Sequence, residues 1–140
     1  MASRAQEALK PRHRVLIVDD EESTRLLLAR LMAQELRAEP QLAGTCEQAL
    51  RLAGASEYDA ILLDLMMPGI GGLGVLESIR AASANRGTPI IVVSIVGDPK
   101  VIDQCMTSGA NAYHVKPVRR AELVATVKAQ LASRAKKAAK

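Results

Sequence analysis

Ala60-Ile61-Leu62-Leu63-Asp64-Leu65-Met66-Met67-Pro68-Gly69 is the stretch that decides the fold. Its four leading apolar residues suit a strand buried on both faces, the usual condition of a parallel sheet. The run stops at an aspartate and then at a Pro-Gly turn. A carboxylate at the end of a buried strand is costly unless something offsets its charge. Two other apolar runs end in a similar way: Val15-Leu16-Ile17-Val18 stops at Asp19-Asp20, and Ala112-Tyr113-His114-Val115 stops at Lys116-Pro117. Two acidic strand ends and one basic one suggest a single pocket holding a divalent cation.

Outward from residues 60–69 the pattern alternates. A strand is predicted over 15–18, then a helix over 23–36 with Leu27, Leu28, Leu31 and Met32 on one side. A short, weak strand follows at 41–44. Thr45 is the predicted N-cap of a helix that carries Leu50 and Leu52 and ends near Gly54. The next strand spans 59–65, and Pro68 with the glycines at 69, 71 and 72 makes a loop. Leu73, Leu76, Ile79 and Arg80 have helical spacing. Pro89 opens a strand at 90–93, a less regular helix covers 99–108 before Gly109, and 112–115 form the last strand. A helix from Arg120 fades into a Lys/Ala tail. Five strand–helix units in strict alternation predict an α/β fold, a parallel sheet covered by helices on both faces. In such open sheets ligands bind beyond the carboxyl ends of the strands. Asp19, Asp20, Asp64, Ser94 and Lys116 all fall there.

Composition narrows the function classes. A chain of 140 residues fits one domain with a real core. Phe and Trp are absent and the aromatic residues are Tyr58 and Tyr113, so the core is predicted to be aliphatic. Residues 1–14 carry a net +3 and the segment from Arg134 a further +4, so the overall +4 leaves −3 on residues 15–133. The basic isoelectric point therefore belongs to the ends and does not argue for nucleic-acid binding, nor are there aromatics to stack on bases. Cys46 and Cys105 read as a reduced, separate pair. Neither a signal peptide nor a membrane span is visible, which predicts a soluble, cytoplasmic protein. Gly69, Gly71, Gly72 and Gly74 lack the Gly-Lys-Ser/Thr of a nucleotide loop. His13 and His114 lack metal-site clustering, and Met66 and Met67 read as packing rather than copper ligands.

The residue types agree with the pocket. Asp19 and Asp20 alone could simply be an acidic helix start, continued by Glu21 and Glu22. Opposite Asp64 they become a hard, oxygen-rich site suited to magnesium, which leaves room for a phosphate oxygen. Lys116 is a point charge for Asp64 or for a phosphoryl oxygen. Ser94 can offer a hydroxyl to the same oxygen.

Together, Val18-Asp19-Asp20-Glu21, Asp64-Leu65-Met66-Met67-Pro68 with Gly72 four residues on, Ser94, and Tyr113-His114-Val115-Lys116-Pro117 resemble the response-regulator receiver domain, in the single-domain, chemotaxis-regulator-like form. The resemblance covers about residues 13–132, with a basic extension at 1–12 and a basic tail or linker at 133–140. It implies a flavodoxin-like, doubly wound three-layer sandwich with strand order 2-1-3-4-5. It implies that Asp64 takes a phosphoryl group from a histidine kinase or histidine phosphotransfer protein. Asp19, Asp20, Asp64 and the Met66 backbone carbonyl would hold Mg2+, with Mn2+ as a substitute. Ser94 and Lys116 would bind phosphoryl oxygens, Lys116-Pro117 would be a cis peptide, and Ser94 with Tyr113 would form the switch. The implied role is a phosphoacceptor signalling domain rather than an enzyme. It would control a partner protein or a covalently linked output domain, with a homodimer as a further option and no contact with membrane or nucleic acid by this domain itself.

Three positions depart from the family pattern. Ile95 follows Ser94 where a small residue is usual, and would modify access to Asp64. Gly71 replaces a commonly acidic residue, with an effect expected only in the loop. Val118 stands where an aromatic often follows Lys-Pro. A magnesium-dependent phosphohydrolase is the rival enzyme reading, but it needs an acid two positions after the nucleophile, where Met66 stands. A scaffold that binds partners without phosphorylation is the third.

Overall fold

The structure is a computed structural model and describes residues 13–139. The basic extension expected over 1–12 and the final residue of the tail lie outside the described residues. In chain order the elements are β1 (His13–Val18), α1 (Glu22–Leu36), β2 (Ala38–Ala43), α2 (Cys46–Ala55), β3 (Ala60–Leu63), α3 (Gly71–Ala82), β4 (Ile90–Ser94), α4 (Pro99–Thr107), β5 (Ala112–Val115) and α5 (Arg120–Ala139). The strands pair in parallel in the order β2-β1-β3-β4-β5. This is the expected doubly wound, three-layer arrangement.

Period-2 alternation along the central strands sorts the core into two layers. Leu16, Val18, Ile61, Leu63, Ile90 and Val92 face α2, α3 and α4, where Ala49, Ala53, Val75, Leu76, Ile79 and Cys105 meet them. Val15, Ile17, Leu62, Ile91 and Val93 face α1 and α5, where Leu28, Leu31, Met32, Leu123 and Val127 close the opposite layer. The core is aliphatic apart from Tyr58, which is fully buried. Cys46 and Cys105 are buried free thiols.

Several boundaries differ from the sequence reading for physical reasons. Leu27 is 43% exposed rather than part of the buried stripe, because it stands about 100° round the helix from Leu28. β2 begins at Ala38, earlier than predicted, and includes Pro40, which an edge strand tolerates. β3 ends at Leu63; the Asp64 N–H still donates to the Val18 carbonyl of β1 at 2.9 Å, and Leu65 then enters a turn closed by the Met67 N–H on the Leu65 carbonyl at 3.0 Å. Thr45 does cap α2, accepting from the Gln48 N–H at 3.1 Å, while Gln48 reaches back to the Gly44 N–H at 2.9 Å. α5 runs on to Ala139, and Arg134 within it bonds the Tyr58 carbonyl and the Glu57 carboxylate.

Gly71 and Gly72, expected in a loop, form the first turn of α3. Gly71 has φ +74°, a conformation that favours glycine. Gly72 is required by space. A Cβ there would lie 2.1 Å from the Asp64 carbonyl oxygen and 2.5 Å from the Leu65 Cα, so α3 starts directly against the backbone that carries Asp64.

A polar network missed by the sequence reading fixes the opposite end of the sheet. Asn85 is fully buried and donates to the Ala53 and Ser56 carbonyls, both at 2.7 Å. Its side-chain oxygen accepts from the Tyr58 N–H and the Thr88 hydroxyl. Gly72→Ala should destabilise the fold by about 3 kcal/mol, since rigid backbone must give way. Gly54→Ala, whose added methyl meets nothing within 4 Å, should leave stability equal or slightly higher. Urea titration of the two variants checks the contrast.

Candidate functional site

The parallel register brings the site together. Val18 pairs with Leu63, and Ser94 pairs with Val115, so the next residues emerge at one edge of the sheet. Asp19, Asp20 and Asp64 each offer a carboxylate oxygen within 4.8 Å of the others. Asp19 and Asp64 are buried and Asp20 is exposed, so the cluster opens to solvent on the Asp20 side.

The Lys116 ammonium lies 2.8 Å from Asp19 and 3.5 Å from Asp64. Its nearer partner is thus Asp19, which sequence reasoning did not pair with it. Asp19 is engaged at every polar atom. Its N–H donates to the Ala43 carbonyl at 3.1 Å, one carboxylate oxygen accepts the Glu21 N–H at 2.9 Å, the other accepts Lys116, and its carbonyl accepts an Arg25 guanidinium N–H at 2.9 Å. Asp64 accepts the Met66 N–H at 3.2 Å.

These contacts set the electrostatics. Burial pushes the Asp64 carboxyl above the ordinary carboxylate range, and the Asp19 charge adds to the rise against the opposing Met66 N–H and Lys116. For Lys116, burial works downward, but the bond to Asp19 and the charges of Asp64 and Asp19 outweigh it, so its pKa is raised. Lys116 is therefore held charged by Asp19, while Asp64 remains under-compensated. Hard oxygen donors of net negative charge, one of them open to solvent, fit a small divalent cation.

Ser94 is fully buried at the end of β4 and its hydroxyl oxygen accepts the Val96 N–H at 3.2 Å. The Tyr113 hydroxyl donates to the Val96 carbonyl. One residue, Val96, thus links Ser94 to Tyr113. Burial raises the Tyr113 pKa, opposed by its bond with Ser94. The Lys116-Pro117 peptide is cis. Ile95 is 67% exposed and lines an apolar groove of about 350 Å³ with Leu27, Leu28, Val93, Pro117 and Val118; Lys116 also lines it, so the groove adjoins the carboxylates.

Residues 15–128 match the response regulator receiver domain. The chain belongs to that family. Among proteins similar to this receiver, the sensory/regulatory protein RpfC of Xanthomonas campestris pv. campestris is 37% identical over 116 residues, 81% of this chain and 16% of that protein. The DNA-binding response regulator MtrA of Mycolicibacterium smegmatis is 37% identical over 123 residues, 86% of this chain and 51% of that protein. This receiver thus spans about half of the length of MtrA and about a sixth of that of RpfC. The solved receiver domain of the sensor histidine kinase PA1611 from Pseudomonas aeruginosa superposes with a TM-score of 0.77 at 28% identity, covering 86% of this chain and 98% of that one; it has a magnesium ion in its active-site cleft. Among the described residues no helix is long and apolar enough to cross a membrane.

Two variants test the charge balance of this receiver without metal. A carboxyl with a raised folded pKa favours folding below its ordinary value and loses that contribution as pH rises through the raised one. Ionised Asp64 therefore weakens the metal-free fold at neutral pH. Asp64→Asn should melt higher than wild type at pH 7, with the gap closing below pH 4. Lys116→Met should melt lower, by about 3 kcal/mol of stability, because buried Asp19 loses its cation. Thermal denaturation in chelator at both pH values checks the pair.

Proposed function

We propose that this receiver accepts a phosphoryl group on Asp64 from a phosphohistidine of a histidine kinase or phosphotransfer protein, and that the acyl phosphate switches the domain. The observation that carries the reading is the placement of buried, under-compensated Asp64 beside Asp19, Asp20 and a charged Lys116. In the reaction an Asp64 carboxylate oxygen forms a bond to phosphorus as the histidine N–P bond breaks, and the imidazole leaves with the electron pair. Asp19, Asp20, Asp64 and the Met66 carbonyl are the proposed holders of magnesium, with manganese as a substitute. When bound, the ion supplies positive charge against the phosphoryl oxygens. Lys116, just past β5 at the same edge of the sheet, supplies a second positive charge.

The Ser94 oxygen accepts the Val96 N–H, and the Ser94 hydroxyl also bonds Tyr113. Turning the Ser94 proton toward a phosphoryl oxygen releases Tyr113 and draws on residue Val96, whose N–H bonds Ser94 and whose carbonyl bonds the Tyr113 hydroxyl. A difference of about 1–3 kcal/mol between two arrangements is enough for a switch of this kind. The proposed readout is a partner protein or a linked output domain, in the cytoplasm, with homodimerisation as one possible form of the switched state. A net −3 over residues 15–133 and a fully buried Tyr58 support a readout through protein rather than nucleic acid. The same domain is proposed to catalyse its own phosphorylation from small donors and its own dephosphorylation.

Incubation with magnesium and acetyl phosphate should give one phosphoryl adduct by intact mass, lost in Asp64→Asn and in chelator. Absence of any adduct with either acetyl phosphate or a phosphohistidine donor would count against the reading. Magnesium at ten times its Kd should stabilise wild type by about 1.4 kcal/mol. Ile95→Ala should change the phosphorylation or dephosphorylation rate; two unchanged rates would show that Ile95 does not control access.

A further inference from the structure

Arg25 occupies an unfavourable position for a cation. It is the fourth residue of α1, near the positive end of the helix dipole. Its side chain is nevertheless partly buried rather than trailing in solvent. The guanidinium donates to the Asp19 carbonyl at 2.9 Å, across the turn that carries Asp20 from β1 into α1. The facing wall is Gly44, just past β2. A Cβ at position 44 would lie 2.8 Å from the Arg25 Nη1 and 3.2 Å from its Cζ, so any larger residue would force the guanidinium to shift from its present place. A cation placed against the dipole and a glycine that makes room for it serve one hydrogen bond.

We propose that Arg25 is a positioning residue for the cation site, acting through the Asp19 carbonyl. The peptide that it holds leads directly into Asp20, the exposed member of the carboxylate cluster. Asp19 is already fixed at its N–H by Ala43 and at its carboxylate by Glu21 and Lys116. The Arg25 bond closes the remaining freedom, rotation of the 19–20 peptide, and with it the direction in which Asp20 leaves the strand. This inference rests on the receiver reading above.

The guanidinium has a second possible effect, of opposite sign. As a bare positive charge near three carboxylates it would compete with a metal ion, and its removal would tighten binding. Positioning and competition therefore make opposite predictions. Outer groups that orient metal-binding residues typically change affinity about tenfold or more when lost.

The test is a magnesium chloride titration of the full, nitrogen-15-labelled chain, followed by backbone amide shifts, for wild type, Arg25→Gln, Gly44→Ala and the double variant. Each single variant should bind magnesium about tenfold more weakly. The double variant should be no weaker than Arg25→Gln, because both changes remove the same bond. Metal-free melting should stay close to wild type in all three, which separates positioning from loss of fold. Gly44→Ala keeps every atom of Arg25 and its charge, so an effect there cannot come from charge removal. Equal or tighter magnesium binding by Arg25→Gln overturns the proposal, and so does unchanged binding by Gly44→Ala. A wild-type chain that binds no magnesium overturns the receiver reading itself, a separate result.

Discussion

One ammonium group paired with two of three clustered carboxylates is the constraint on which the rest of this structure depends. Lys116 lies closest to Asp19, the most completely engaged residue of the site, and reaches Asp64 only at longer range. The division leaves Asp19 as fixed framework and Asp64 as a reactive group with its charge incompletely answered. A lysine shared evenly would have quieted both. The strain of the arrangement is electrostatic, and it is held by a core that has no comparable liabilities.

The sheet is what makes such an arrangement possible. Parallel strands bring their carboxyl ends to one edge, so acids from β1 and β3, a hydroxyl from β4 and a lysine from β5 converge without any long loop. Side chains on the two faces pack separately. Ser94 and Tyr113 are coupled through residue Val96, one at its N–H and the other at its carbonyl, and Tyr113 packs on the layer that holds α2, α3 and α4. α1 and α5 close the other layer. A change at Ser94 therefore has a built-in direction, toward one side of the sheet.

Much of this was legible in the sequence. Short apolar runs ending in Asp19-Asp20, Asp64 and Lys116 gave the alternation and the location of the pocket, because burial on both faces of a strand writes itself as an unbroken apolar run. The misreadings fall where side-chain type does not determine geometry. Pro40 concealed the start of β2, since proline argues against a strand unless the strand is known to lie at an edge. Gly71 and Gly72 looked like loop residues because the reason for them, a helix start pressed on the Asp64 backbone, is a tertiary fact. The preference of Lys116 for Asp19 over Asp64 is a matter of tenths of ångströms that no spacing encodes. Arg25 and Gly44 are far apart in sequence and individually ordinary, so their pairing had no local signal.

Asn85 lies at the far end of the sheet from all this chemistry, yet its environment is as exacting. Every polar atom of its side chain is used on groups from α2, the connection between α2 and β3, and the turn before β4, so its short amide supplies both the two donors and the acceptor at that place. An aspartate would oppose two carbonyls, and a leucine would leave those two carbonyls and the Tyr58 N–H without this partner. Selection for folding alone would thus hold position 85 as firmly as selection for reactivity holds position 64. Invariance among descendants of this chain would mark both residues equally, and only their surroundings would tell an architectural necessity from a chemical one.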